Sequence, residues 1–318
     1  VIPSGLPFNI ANLKKLSMWL IFLFLLAPHP GLASQKSGER NPLGFADALV
    51  LGLVEGLTEY LPVSSTGHLL LAQHLMGLAD TKEKKDTADS YAVVIQIGAI
   101  LAVLGLYRQR SMQILQGVFG KSPEGLKLGL MLIFAFAPAA LTAFTLEGII
   151  KQNLFGPWAV ALGWIFGGIA IFYLPVKPGK LQPEKALPIE AINGRVALII
   201  GLFQILALWP GVSRSLATIL GGLFAGLNLG AAVEFSFLLG LITLGAATVY
   251  ELANHGGGIL AAYGFFTPAL GILSAFIAAW VSVKWLVNHL KKHGLELFGY
   301  YRIALGLVTI LLLLTHRI

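Results

Sequence analysis

Cysteine is absent from the 318 residues, which excludes disulfides, a thiolate nucleophile and a Cys-ligated zinc site. Charge is nearly as scarce. Asp, Glu, Lys and Arg make up 12% of the chain, against roughly 25% in an ordinary soluble domain. The net charge of +7 is spread over short loops between apolar stretches and forms neither a stripe nor a tail, so nucleic acid is excluded as a partner and membrane topology accounts for the excess. What is abundant is apolar: 56% of the residues fall in the hydrophobic set. Several runs reach the roughly 20 residues that a helix needs to cross about 30 Å of hydrocarbon. The chain therefore reads as a single all-α polytopic membrane domain over residues 41–318, embedded in a lipid bilayer.

Residues 1–40 read as a signal-like segment set apart from that fold. Lys14 and Lys15 precede an apolar run from Met18 to Ala27, and Gly31-Leu32-Ala33 puts small residues at cleavage-type positions. Six transmembrane helices are expected at about Tyr91–Tyr107, Leu126–Leu146, Leu154–Leu174, Ala231–Leu252, Phe265–Val287 and Tyr301–Leu314. Two further apolar regions, Phe45–Leu78 and Ala191–Leu227, are broken by Pro62 with Ser64, Ser65 and Thr66, and by Pro210 with Gly211, Ser213 and Ser215. Each is expected to be a re-entrant helical hairpin, because irregular backbone survives at membrane depth only where protein or a water-filled cavity satisfies it.

An outer mature N-terminus puts the loops around 108–127, 175–195 and 284–302 in the cytoplasm with 12 Lys and Arg, against 7 outside. That obeys the positive-inside rule. Gly52-Leu53-Val54-Glu55 and Pro62-Val63-Ser64-Ser65 resemble Gly201-Leu202-Phe203-Gln204 and Pro210-Gly211-Val212-Ser213. Each broken pair precedes three spans, so the halves, about 41–175 and 190–318, are expected to form an inverted repeat with a site at their interface.

Glu55 and Glu59 lie four apart, on one face of a helix. A charge at bilayer centre costs about 2.5–3.5 kcal/mol, so the pair calls for a cation or a water-filled cavity, and a hard divalent ion bridging phosphate oxygens meets that need. Ser64 or Ser65 is expected to cap the second half-helix, whose N-terminus favours an anion. Ser65 and His68, three apart, can face one ligand as nucleophile and base, whereas Ser64 and Thr66 read chiefly as cap hydroxyls. In the second break, Arg214 at membrane depth is expected to grip phosphate or to pair with Glu55, Glu59 or Glu234. Ser213, Ser215 and Thr218 can add donors to the same anion, although Thr218 can equally bond back to its own helix. Gln96 is a weaker candidate.

The stretch from Glu55 to His68, EGLTEYLPVSSTGH, together with Pro210-Gly211-Val212-Ser213-Arg214-Ser215, Thr218 and Glu234-Phe235-Ser236-Phe237-Leu238-Leu239, resembles the undecaprenyl-diphosphatase family, the BacA type that confers bacitracin resistance. The resemblance runs from about Asn41 to the C-terminus; Leu216 stands where members usually carry glycine. It implies a Mg2+- or Ca2+-dependent phosphatase of the plasma (inner) membrane, opening to the outer face. Its reaction is conversion of undecaprenyl pyrophosphate to the monophosphate, which recycles the lipid carrier of cell-wall synthesis. It also implies that Glu55 and Glu59 associate with the metal, that Arg214 binds phosphate and that Ser65 and His68 are the candidates for nucleophile and base. A homodimer is left open. The competing reading is a lipid flippase or secondary transporter, which needs the anion site without a nucleophile. A phosphohistidine phosphatase needs a second His and a Lys motif that are not in suitable places.

Overall fold

A computed structural model of the protein describes residues 43–79, 81–173 and 186–315. The signal-like segment and residues 174–185 of the expected cytoplasmic loop lie outside the described residues. Among those described, the elements are helices: α1 (Phe45–Thr58), α2 (Ser65–Leu75), α3 (Lys82–Leu106), α4 (Arg108–Val118), α5 (Pro123–Leu154), α6 (Pro157–Tyr173), α7 (Gly194–Leu206), α8 (Arg214–Phe224), α9 (Leu229–Tyr263), α10 (Phe266–Leu290) and α11 (Glu296–Leu314). The chain is an all-α polytopic membrane protein. Five helices are long and apolar enough to cross a bilayer by themselves: α3, α5, α9, α10 and α11. The sixth expected span corresponds to α6, 17 residues long, which reaches about 26 Å at about 1.5 Å per residue. Its expected start at Leu154 is corrected, because α5 runs on through Gly148 to Leu154 and the chain then bends by 90° into α6. Gly156-Pro157 is the first combination strong enough to stop the helix.

Part of the expected loop 108–127 is helical. Met112 and Leu115 of α4, and Phe119 just past its end, follow Arg108 along one exposed strip, the pattern of a helix lying in the interfacial layer.

Small residues let the helices approach closely. A methyl group at Gly56 of α1 would collide with the Ala275 carbonyl of α10, and one at Gly201 of α7 would press on the Ala135 carbonyl and Pro138 of α5. Ser274 and Ser282 of α10 donate to the carbonyls of Leu49 and Gly56 at 3.0 and 2.9 Å, tying α1 to α10 where no water competes. Helix α3 packs on α9 and α6 on α11.

Both broken regions are present: α1 gives way to α2 between Thr58 and Ser65, and α7 to α8 between Leu206 and Arg214. Each second helix is capped by a serine in the same backbone conformation, Ser64 at φ 73° and ψ 97°, Ser213 at φ 77° and ψ 118°. Among the described residues these are the two non-glycine positions with positive φ, a conformation that costs about 1–3 kcal/mol and persists only where its surroundings over-determine it. Matching the caps pairs Gly52, Glu55 and Ser64 with Gly201, Gln204 and Ser213 at identical spacing. That shifts the expected pairing of Pro62 with Pro210 by one residue, placing Pro62 against Gly211, because the cap backbone and not the proline sets the register.

Candidate active site

The two breaks meet tip to tip. Ser64 Oγ accepts the N–H of Gly67 in its own helix at 3.4 Å and that of Gly211 in the other break at 3.2 Å. In return Ser215 Oγ donates to the Leu61 carbonyl at 2.9 Å. Arg302, fully buried in α11, donates to the carbonyls of Pro62, Gly163 and Gly211 at 3.1, 3.0 and 2.7 Å, and Trp164 Nε1 reaches the Val63 carbonyl at 2.8 Å. Non-helical backbone inside an apolar bundle has its carbonyls satisfied in this way.

On that frame Glu59 joins the halves. Its Oε1 accepts from Arg214 Nη2 at 2.9 Å, and its Oε2 accepts a short hydrogen bond from Ser65 Oγ. Arg214 is further held by its Nη1 on the Ser236 carbonyl at 2.9 Å and by the Tyr60 ring, 5.2 Å from Cζ to the ring centroid. Gly240 leaves room for the guanidinium: a Cβ there would lie 2.5 Å from Nη1. Arg214 Nε and both carboxylate oxygens of Glu55 are buried with no hydrogen-bond partner among the described residues, as is Nε of Arg302 in the supporting frame, an expensive arrangement for buried polar groups.

The expected residues fall into groups. Glu55, Glu59, Ser65 and Arg214 converge. His68 is buried nearby, but its Nδ1 donates to the Ser64 carbonyl at 2.6 Å, which leaves Nε2 to accept from Tyr301 Oη at 2.7 Å. Both ring nitrogens are thus occupied, and the Ser65 hydroxyl turns to Glu59 instead. Ser213 and Ser215 hydrogen-bond each other at 3.0 Å. Thr218 bonds back to the Arg214 carbonyl at 2.9 Å and to Ser236 Oγ at 2.6 Å. Thr66 is exposed and makes no hydrogen bond to this cluster.

Glu234 does not orient Arg214; it pairs with Arg110 at 2.6 Å, because the start of α9 lies at the loop end of the bundle. Gln96 Oε1 is buried and unpaired, apart from these contacts. Leu216 is buried without positive φ, so nothing in this backbone requires glycine there.

The model of the bacitracin resistance protein BacA family matches residues 48–308. The chain belongs to the BacA family. Among curated relatives, this BacA-family chain is 42% identical over 261 residues to the undecaprenyl-diphosphatase of Sorangium cellulosum, covering 82% of this chain and 83% of the relative. It is 43% identical over 264 residues to that of Methylococcus capsulatus, with 83% and 93% covered. The undecaprenyl-diphosphatase 1 of Chromobacterium violaceum is 42% identical over 265 residues, with 83% and 94% covered.

Within the BacA-family chain, Tyr301, Arg302 and Trp164 complete the surroundings of the site although they lie outside the motifs, together with Ser236 of the Glu234–Leu239 stretch. Arg302 had a readable signal. It falls within the last expected span, Tyr301–Leu314, as well as at the edge of the loop 284–302, and α11, which starts at Glu296, buries it nearly two turns in. Without it the cytoplasmic count is 11, and the orientation is unchanged.

Proposed function

We propose that this chain hydrolyses undecaprenyl pyrophosphate to undecaprenyl phosphate and inorganic phosphate at the contact of its two broken helices, recycling the lipid carrier of cell-wall synthesis and giving bacitracin resistance. One observation carries the site assignment. Glu59 and Arg214, from opposite halves of the sequence, are 2.9 Å apart at membrane depth, flanked by an unpaired guanidinium N–H and an unpaired carboxylate. Either charge alone would be intolerable there, and a diphosphate head with its counter-ion satisfies both.

Arg214 binds the terminal phosphate through Nε and the nitrogens it can release from Glu59. As phosphate takes over Arg214, Glu59 loses its cationic partner and becomes a better proton acceptor. Ser65 Oγ, already donating to Glu59, then passes its proton to that carboxylate and bonds to the terminal phosphorus. The bond from phosphorus to the bridging oxygen breaks, and the prenyl monophosphate leaves as an anion that needs no proton. Water then attacks the phosphorus held on Ser65, the bond from phosphorus to Oγ breaks, and Glu59 returns its proton to Ser65 Oγ while inorganic phosphate leaves with the protons of the water. His68 positions the capping turn through the Ser64 carbonyl. Ser64 and Ser213 cap helices whose N-termini point toward the phosphate, with Ser215 beside them, while Thr218 is held on the Arg214 carbonyl and Ser236 and Thr66 stands exposed outside the cluster.

The oxygen donors of Glu55 and Glu59 fit a hard divalent cation, Mg2+ or Ca2+, and the orphaned Glu55 carboxylate fits that requirement directly. Such an ion, when bound, neutralises phosphate charge.

The halves form an inverted repeat, supported by the matched serine caps and by the packing of α3 on α9 and α6 on α11, each helix against its counterpart. The surplus of Lys and Arg in the loops on one side supports a plasma-membrane orientation with the site opening outward. One chain supplies every group, so a homodimer is not required for the chemistry.

Purified protein in detergent is expected to release inorganic phosphate from undecaprenyl pyrophosphate, leaving the monophosphate lipid, and to stop when a chelator removes divalent ions. Movement of that lipid across vesicle membranes without phosphate release would instead establish a transporter and overturn the proposal.

A further inference from the structure

A cavity of about 940 Å3 opens where the C-terminal ends of α3 and α10 meet the first turns of α4 and α9. It is distinct from the site above. Tyr107 lines it and packs edge-on against Phe237 at 5.9 Å, and Phe237 packs edge-on against Tyr60 at 5.2 Å, beneath the Arg214 guanidinium. These ring contacts lie between the cavity and Arg214.

The cavity walls include Leu106, Val233, Val287 and Leu290, and its rim is basic. Arg110 on that rim is neutralised by Glu234 and Glu190 at 2.6 and 2.5 Å. Arg108, Lys284 and Lys291 also line it, all exposed and none with a carboxylate partner among the described residues. Lys284 is held with its ammonium 4.8 Å from the Trp280 ring centroid. The exposed apolar strip of α4 sets the depth, because Met112, Leu115 and Phe119 beside Arg108 place this rim at the boundary between headgroups and acyl chains.

We propose that this cavity is a binding site for an anionic phospholipid, its headgroup phosphate held by Arg108, Lys284 and Lys291 and an acyl chain lying on the apolar wall. Three unpaired cations above an apolar wall at headgroup depth match a lipid that is negative at one end and apolar at the other. Free phosphate would leave the wall uncovered, and a zwitterionic lipid would leave the cations uncompensated.

The test uses the full-length protein, delipidated in detergent and titrated with dioleoylphosphatidylglycerol or dioleoylphosphatidylcholine, with retained lipid counted by native mass spectrometry. The wild type is expected to retain phosphatidylglycerol and release phosphatidylcholine. At about fivefold per cation, the Arg108→Gln/Lys284→Gln/Lys291→Gln variant should lose phosphatidylglycerol affinity on the order of 100-fold. It should still release phosphate from its substrate in lipid-free detergent. The charge-preserving Arg108→Lys/Lys284→Arg/Lys291→Arg variant should retain the lipid, which keeps the test decisive if the neutral variant fails to fold. Equal retention of both lipids by the wild type, full retention by the neutral variant, loss in the charge-preserving variant, or displacement by inorganic phosphate would each overturn the proposal.

Discussion

Replacing Gly240 by alanine adds one methyl group to α9, against the one guanidinium on which phosphate binding is proposed to depend. The new Cβ would lie 2.5 Å from Arg214 Nη1, 2.7 Å from Nη2 and 2.8 Å from Cζ. Restoring ordinary contact at roughly 3.5 Å requires Arg214 to move by about 1 Å, which strips it from both Glu59 and the Ser236 carbonyl. A displacement of about 1 Å at a positioning group lowers rate on the order of 100-fold, or about 2.7 kcal/mol in the barrier. Gly245, on the same helix, has nothing within 4 Å of its Cβ position. Gly245→Ala therefore gains the same helix propensity, about 1 kcal/mol, without touching the site. Initial rates of phosphate release from solubilised undecaprenyl pyrophosphate, together with thermal unfolding in the same detergent, separate the two effects. Equal kcat/KM for the two variants would refute the reasoning, since it would mean that the position of Arg214 is immaterial.

Three other outcomes follow from the same contacts. Arg302→Met removes the donors to three carbonyls, so it should destabilise the fold by about 3 kcal/mol or more and abolish activity, while Arg302→Lys keeps part of both; wild-type unfolding and turnover in Arg302→Met would contradict this. Glu55→Gln removes a buried carboxylate that has no partner, so stability should hold or rise while the thermal shift induced by Mg2+ in the wild type disappears; an unchanged Mg2+ shift would remove Glu55 from the cation site. The hydrogen bond from Arg110 holds the Glu190 carboxyl below its usual range, so its contribution to stability is present above about pH 4.3, its unfolded value, and is lost as pH falls through the lower folded value. Because Glu190 is exposed, that contribution is below about 1 kcal/mol: Glu190→Gln should unfold slightly earlier than wild type at neutral pH and converge with it in acid, and a gap that widens in acid would contradict the assignment.

Much of the site was legible because its chemistry is out of place in hydrocarbon. Glu55, Glu59 and Arg214 stood out as charges between apolar flanks, and Pro62 and Pro210 marked the breaks that house them. What stayed hidden depended on partners remote in sequence. Ser65 and His68 share a helix face, but Tyr301, 233 residues further on, occupies His68 Nε2, so the serine hydrogen-bonds to Glu59. Arg302 and Glu234 are ordinary loop-edge charges in one dimension. Only the packing of α11 against the breaks makes the first a support of the site, and only the approach of α4 to α9 gives the second to Arg110. The amphipathic pattern of α4 was present in the sequence but was hidden by its short length between two spans.

If the two broken helices build one diphosphate site around Glu59 and Arg214, removing either charge removes that site. Phosphate release from undecaprenyl pyrophosphate should be measured side by side for wild type, Glu59→Gln and Arg214→Met, each shown to be monodisperse and cooperatively folded. Both variants should fall to the background rate, and wild-type turnover in either would contradict the account.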